Sequence, residues 1–271
     1  MANELKIGIV GAAGRMGRML VAQVGETDGC VLAGATERPG AAEIGRDAGT
    51  LAGVAAAGVA VGDDAAAMIA GVDAVIDFTA PDATVAHADL AAQADAAMVI
   101  GTTGLDDTHM EALQRAARHV PVMVAPNMSA GVNVLMVLAE QVARALDESY
   151  DIEIVEMHHR HKVDAPSGTA LGLGQAVAAG RGVELDAVAR MAREGHTGAR
   201  PRGEIGFATL RGGDVVGDHS VVFAADGERV ELTHKASSRR LFAAGAVRAA
   251  LWTRGRAPGM YSMRDVLGLK V

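Results

Sequence analysis

The stretch LKIGIVGAAGRMGRMLVAQV, Leu5 to Val24, decides the fold. Leu5 to Val10 is an apolar run of strand length, and Arg15 to Val24 sets Met16, Met19, Leu20 and Val24 at helical spacing along one side. Between them lies a turn of small residues, Gly11-Ala12-Ala13-Gly14. Cys30 to Thr36 is a second apolar run. Strand, glycine turn, helix and strand in that order form a parallel βαβ unit.

The alternation continues downstream. Ala74–Phe78, Ala97–Ile100 and Pro121–Ala125 read as strands, with helices over about 82–94 and 106–118. The expected class is α/β, a Rossmann-type dinucleotide-binding domain on a parallel sheet. In such a sheet the carboxyl ends of the strands line the ligand crevice. Gly11–Gly14, Phe78-Thr79, Gly101–Gly104 and Pro126-Asn127 are therefore expected at one edge. After a helix over about 132–146 the texture changes. Strands at 151–157, 205–210, 214–224 and 229–235 follow without the alternating helices, and Asp226-Gly227 is a tight turn between the last two. This predicts a second α+β domain on a mixed or antiparallel sheet. A helix over 242–254 and a tail over 262–269 should return to the first domain. The expected division is 1–129 with 239–271 as dinucleotide-binding domain and 130–238 as substrate-binding and oligomerisation domain, with hinges at Met128–Gly131 and Ser237–Arg239. Arg38–Gly53, rich in Gly and Ala, reads as a mobile loop.

Bulk properties narrow the function. Half of the 271 residues are hydrophobic, only 3% are aromatic, and the formal charge is −8. The core must be aliphatic, and the chain lacks the basic face of a nucleic-acid binder. No apolar run is long enough to span a membrane. The single cysteine, Cys30, cannot pair internally and reads as a buried inert thiol. With no secretory leader in the opening residues, a cytoplasmic location is expected.

Gly8, Gly11, Gly14 and Gly17 recur at three-residue spacing across the strand–helix junction. A tight turn needs glycine, a pyrophosphate needs close backbone approach, and a helix amino end offers free N–H groups. Arg15 adds a charge. Glu37 ends the second strand, where an acid accepts hydrogen bonds from the ribose hydroxyls of NAD, and Arg38 beside it favours the 2′-phosphate of NADP. The pair argues for use of both NADH and NADPH.

His158-His159-Arg160-His161-Lys162 ends another strand. Ser167-Gly168-Thr169 then opens a helix, and a hydroxyl cap with free backbone N–H groups is an anion site. Cations beside a helix amino end suit a substrate with carboxylates. The histidines have the chemistry to hold zinc, but Arg160 and Lys162 repel a cation and no further ligand follows at zinc spacing, so no metal is expected. The remaining candidates are another two-domain NAD(P)-dependent amino-acid-pathway dehydrogenase and a non-catalytic nicotinamide-sensing protein.

At these same residues the chain resembles the 4-hydroxy-tetrahydrodipicolinate reductase (dihydrodipicolinate reductase) family. The matching segments are GIVGAAGRMGR at 8–18, GATER at 34–38, DFT at 77–79, GTTG at 101–104, APNMSAGVN at 125–133, EMHHRHKVDAPSGTA at 156–170, REGHTG at 193–198 and THKASSR at 233–239. The resemblance implies NADH or NADPH as hydride donor, a cyclic imine dicarboxylate as substrate, and a homotetramer that uses neither nucleic acid nor membrane. It implies His158 as proton donor and acceptor, Lys162 as second proton donor, and His159, Gly168 and Thr169 as substrate-binding. Gly11, Ala12, Ala13, Gly14, Arg15, Met16, Glu37, Arg38, Gly101, Thr102, Thr103, Ala125, Pro126, Asn127 and Met128 match cofactor-contacting positions. Met128 stands where many relatives carry Phe.

Overall fold

The computed structural model describes residues 4–269. Its contacts divide the chain into two units: the chain up to Ser129 with Arg240–Gly268, and Ala130–Arg239. This division differs from the expected one at Arg239 and at Leu269, both of which group with the second unit.

The first unit begins with β1 (Leu5–Val10), α1 (Arg15–Gly25), β2 (Cys30–Thr36), α2 (Ala48–Leu51), α3 (Ala65–Ile69), β3 (Ala74–Asp77), α4 (Pro81–Ala94), β4 (Ala97–Ile100), α5 (Asp107–Ala116) and β5 (Pro121–Val124). The second unit holds α6 (Ala130–Ala145), β6 (Asp151–His158), α7 (Gly168–Arg181), α8 (Leu185–Val188), β7 (Ala189–Arg190), β8 (Ile205–Arg211), β9 (Gly217–Ala225) and β10 (Glu228–Ala236). The chain then returns to the first unit as α9 (Arg240–Thr253), β11 (Gly259–Tyr261) and α10 (Met263–Leu267).

In the first unit six parallel strands run in the order β11-β5-β4-β3-β1-β2. Both faces are buried, which is why β4, and β3 up to Asp77, read as apolar runs rather than alternating ones. Ile7, Ile9, Leu20 and Val247 pack on one face, with Met263 and Val266 of the tail. Val75, Met98, Ile100 and Leu113 pack on the other. Gly8 and Gly34 are register partners on β1 and β2, and a Cβ on either would meet the Met68 side chain at 2.4 Å. The paired glycines open the slot in which α3 seats that methionine.

Local patterning did not mark α2, α3, α8, β7 or β11, which have two to five residues each. Elements so short form only where tertiary contacts hold them. The stretch 38–53 is not the plain loop expected. The Asp47 carboxylate accepts from the amides of Thr50 (2.8 Å), Ala57 (3.1 Å) and Gly58 (2.8 Å), and Ala48 and Leu51 are buried. Cys30 is buried, and burial pushes its thiol pKa up, as an inert thiol requires.

The second sheet is mixed, in the order β10-β9-β6-β8-β7. β6 pairs parallel with β8 and antiparallel with β9. Its core of Ile152, Ile154, Leu173, Val177, Phe207, Val221 and Phe223 lies between the sheet and α6–α7. Along β6 burial alternates strictly, so Ile152, Ile154, Glu156 and His158 share the inner face.

Candidate active site

In the first unit the glycine turn is built as the sequence predicts. Gly11 has φ +66°, and a Cβ there would lie 2.9 Å from Thr79. A Cβ on Gly17 would meet the Gly11 carbonyl oxygen at 2.1 Å, so α1 presses directly on the turn. Gly14 precedes α1 with no side-chain cap, leaving the first-turn amides of Arg15, Met16 and Gly17 without a side-chain acceptor among the described residues. That is the arrangement an anion fills. The Glu37 carboxylate turns back to this loop and accepts from the amides of Ala13 (3.3 Å) and Arg38 (3.1 Å), while Arg38 itself is exposed.

The next strand ends are organised by Asp77, which is fully buried. Its carboxylate accepts from the Thr79 amide (2.8 Å), the Thr79 hydroxyl (2.6 Å), the Thr102 hydroxyl (3.3 Å) and His87 Nδ1 (2.8 Å). Thr84 and Thr102 hydroxyls share a further bond of 2.8 Å. Thr102 thus spends its side chain inward and offers a ligand only its backbone, whereas Thr103 is exposed. Gly101 lies under the Phe78 ring, which a Cβ would strike at 2.2 Å. Ala125 and Met128 are buried, Met128 to 1% exposure, so its side chain belongs to the core and any ligand contact there is by backbone. Pro126 is exposed and Asn127 half-buried, the latter accepting from the Ser129 amide. A cavity of about 610 Å³ takes in Thr102, Thr103 and Pro126, with Met260 and Tyr261 from the returning segment, which sequence reasoning had not marked.

The second unit carries the histidine site, and it is not a block of five equivalent cations. Arg160 and His161 are exposed. His158 points inward, and its Nδ1 lies 2.5 Å from Glu156 Oε2. Glu156 is 1% exposed and also accepts from Arg211 Nη1 (2.8 Å), Arg211 Nη2 (2.9 Å) and the Ser167 amide (3.0 Å). Burial pushes its pKa up, but Arg211, His158 and the amide together hold it below the usual carboxylate range. The Ser167 hydroxyl caps α7 through the Ala170 amide (3.1 Å) and lies 3.1 Å from His219 Nε2. His219 is buried, and burial, reinforced by the charge of His158, pushes its pKa down to about 4.

Around this centre Lys162 Nζ donates to both oxygens of Asp164, each at 2.8 Å. Arg239 Nη2 donates to His159 Nε2 at 2.9 Å. A guanidinium only donates, so His159 is the neutral acceptor; burial, then Arg239, hold its pKa down. Gly168 is exposed and Thr169 half-buried at the first turn of α7. Glu156, Arg211, His219 and Arg239 escaped sequence reasoning. Glu156 alone left a usable signal, a carboxylate at an inward position of an alternating strand. Among the described residues no cluster of His, Cys, Asp or Glu is gathered as metal ligands would be.

A glycine turn at the carboxyl edge of a parallel sheet, in a chain whose second sheet carries a buried histidine–carboxylate pair, defines a nicotinamide-dependent oxidoreductase of two-domain construction. Comparison with known proteins narrows the class. Residues 5–128 match the model for the N-terminus of dihydrodipicolinate reductase and residues 131–267 that for its C-terminus. The chain belongs to the dihydrodipicolinate reductase family. It is 57% identical to 4-hydroxy-tetrahydrodipicolinate reductase of Thiobacillus denitrificans over 98% of this chain and 100% of that protein. It is 59% identical to the reductase of the same name from Ruegeria pomeroyi over 96% of this chain and 97% of that one. The solved dipicolinate-bound dihydrodipicolinate reductase of Paenisporosarcina sp. TG-14 shares the fold, with a TM-score of 0.76 at 24% identity over 97% of this chain and 99% of that one.

Proposed function

We propose that this chain reduces 4-hydroxy-tetrahydrodipicolinate to tetrahydrodipicolinate in lysine and diaminopimelate biosynthesis. The balance is substrate plus NAD(P)H plus a proton, giving product, NAD(P)+ and water. One observation carries the reading: the segment 156–170 runs from the end of β6 through one loop into α7 and carries a carboxylate-held histidine, a lysine and the amino end of that helix.

Gly11, Ala12, Ala13, Gly14, Arg15 and Met16 would hold the pyrophosphate, Glu37 and Arg38 the adenine ribose, and Gly101–Thr103 with Ala125–Met128 the nicotinamide half. When bound, the reduced nicotinamide supplies the hydride. His159, Gly168 and Thr169 orient the substrate carboxylates, with Arg239 adding positive charge beside His159. His158 and Lys162 exchange the protons that reduction and water loss require. The pairing of Lys162 with Asp164 holds its ammonium in place.

The test is loss of reduced-nicotinamide absorbance on freshly prepared substrate, with each cofactor in turn. Cofactor that binds but is never consumed would refute the reading and favour a sensing protein. A homotetramer fits the second sheet, whose face away from α6–α7 leaves Val155, Met157 and Val222 only half-buried and Leu210 exposed; light scattering gives the mass. A cytoplasmic setting fits the single buried Cys30, and no described helix is long and apolar enough to cross a membrane.

A further inference from the structure

We infer that Glu156 is a positioning residue: its buried carboxylate holds His158 through Nδ1 so that Nε2, beside Gly217, is the nitrogen that exchanges a proton with the substrate. The inference rests on the reading of His158 as the acid–base group given above.

A carboxylate can only accept, so the hydrogen in the 2.5 Å contact belongs to His158 Nδ1 in both charge states of the ring. Loss of a proton must then come from Nε2, and the neutral ring keeps its lone pair there. The Nε2 side is open because position 217 is glycine: a Cβ built there would stand 3.0 Å from Nε2 and 3.4 Å from Cδ2. The edge-on ring of His219, 5.1 Å away between centroids, backs the imidazole from β9. Turning the ring over would exchange the Glu156 contact for a carbon and leave a buried oxygen short of a donor.

The support of Glu156 is more than a buried ion pair needs. Arg211 is the register partner of His158 on β8, and its fork spans both carboxylate oxygens. The Ser167 amide adds a third anchor from the turn that opens α7. One carboxylate therefore ties the acid–base ring to the anion-binding helix end. Burying a charge is costly and an apolar residue would pack as well. What the charge contributes is direction: it fixes Nδ1 as the nitrogen that carries the hydrogen. The other titratable groups facing His158 are Arg211 on β8, His219 on β9 with His234 beyond it on β10, and His159 and Lys162 on the following loop. Asp164 pairs with Lys162, and Glu156 is the carboxylate that contacts the His158 ring itself.

The test is a histidine-labelled NMR titration of the full chain beside the pH profile of kcat/KM, for wild type, Glu156→Gln and His158→Gln. Glu156→Gln keeps size and an acceptor but removes the charge. The expected result is a mixture of the two neutral His158 tautomers where wild type shows one, an altered pH profile, and about 10–100-fold lower kcat at pH 7, with NADH Kd unchanged. If His158→Gln keeps full turnover, the reading of His158 is wrong. If His158→Gln is inactive while Glu156→Gln titrates and turns over like wild type, Glu156 only packs and the inference falls. Should Glu156→Gln not fold, Glu156→Asp decides: it keeps the charge and withdraws it by one methylene, and wild-type kcat in that variant overturns the inference.

Discussion

The ring of His219 stands edge-on to that of His158, with centroids 5.1 Å apart and planes at 75°. Burial, with the His158 imidazole so close, keeps His219 neutral far below the usual histidine range, at about 4. The folded form therefore binds fewer protons than the unfolded chain between pH 6.5 and 4. The associated stability is fully present above the unfolded value and is lost as pH falls toward 4, at most about 3 kcal/mol. His159 and His234, also depressed, act in the same direction. The Glu156 contribution, likewise depressed, is lost lower, below the ordinary carboxylate value of 4.5. His219→Gln should thus lose less stability than wild type between pH 7 and 4, as read by denaturant midpoints. Parallel losses in the two proteins would refute the assignment.

Lys162→Ala should lower kcat by about 100-fold or more, because the proposed second proton donor is removed. NADH Kd should stay within about twofold, since Lys162 belongs to the second unit. Fluorescence titration beside steady-state turnover separates the two effects.

Under the proposed function Glu37 and Arg38 divide the cofactor choice. Arg38 is exposed and makes no contact that the turn needs, whereas Glu37 also ties the Ala13 amide. Arg38→Ala should raise KM for NADPH about tenfold and leave NADH nearly untouched. Glu37→Ala should weaken NADH and loosen the turn. An unchanged ratio of the two cofactors in both variants counts against these roles.

Asp77→Ala removes the acceptor of Thr79, Thr102 and His87 at once. Stranding buried donors in this way should cost about 3 kcal/mol and lower Tm by several degrees. Cofactor affinity should fall with it, because the 101–104 loop loses its anchor. Asp77→Asn, which keeps one acceptor, should fall between.

Gly17→Ala and Gly25→Ala lie on the same helix and make a controlled pair. The first places a Cβ 2.1 Å from the Gly11 carbonyl and 2.6 Å from Ala12 Cα, backbone that cannot yield without opening the turn. The second meets nothing within 4 Å. The first should abolish dinucleotide binding and the second should be neutral or slightly stabilising. Calorimetry with NADH distinguishes them.

The parallel half of the molecule was readable because its signals are local. Apolar runs, glycine spacing and helix caps act within a few residues, and β1, α1, β2, α4 and α6 lie within two residues or so of their expected bounds. The same holds for Ser167 as the cap of α7. The short α2, α3 and β11 gave no such signal, since packing and register make them.

The histidine cluster shows where reading stops. Chain order alone set His158, Lys162 and the Ser167 turn in one short stretch, because the spacing of neighbouring residues is covalent. Which of the five basic residues turns inward, that Glu156 binds it, and that Arg211 and His219 complete the surroundings followed only once β6, β8 and β9 aligned. Those partners lie about 50 residues or more from the turn in sequence, and hydrogen-bond register between strands, not local preference, brings their side chains to one point.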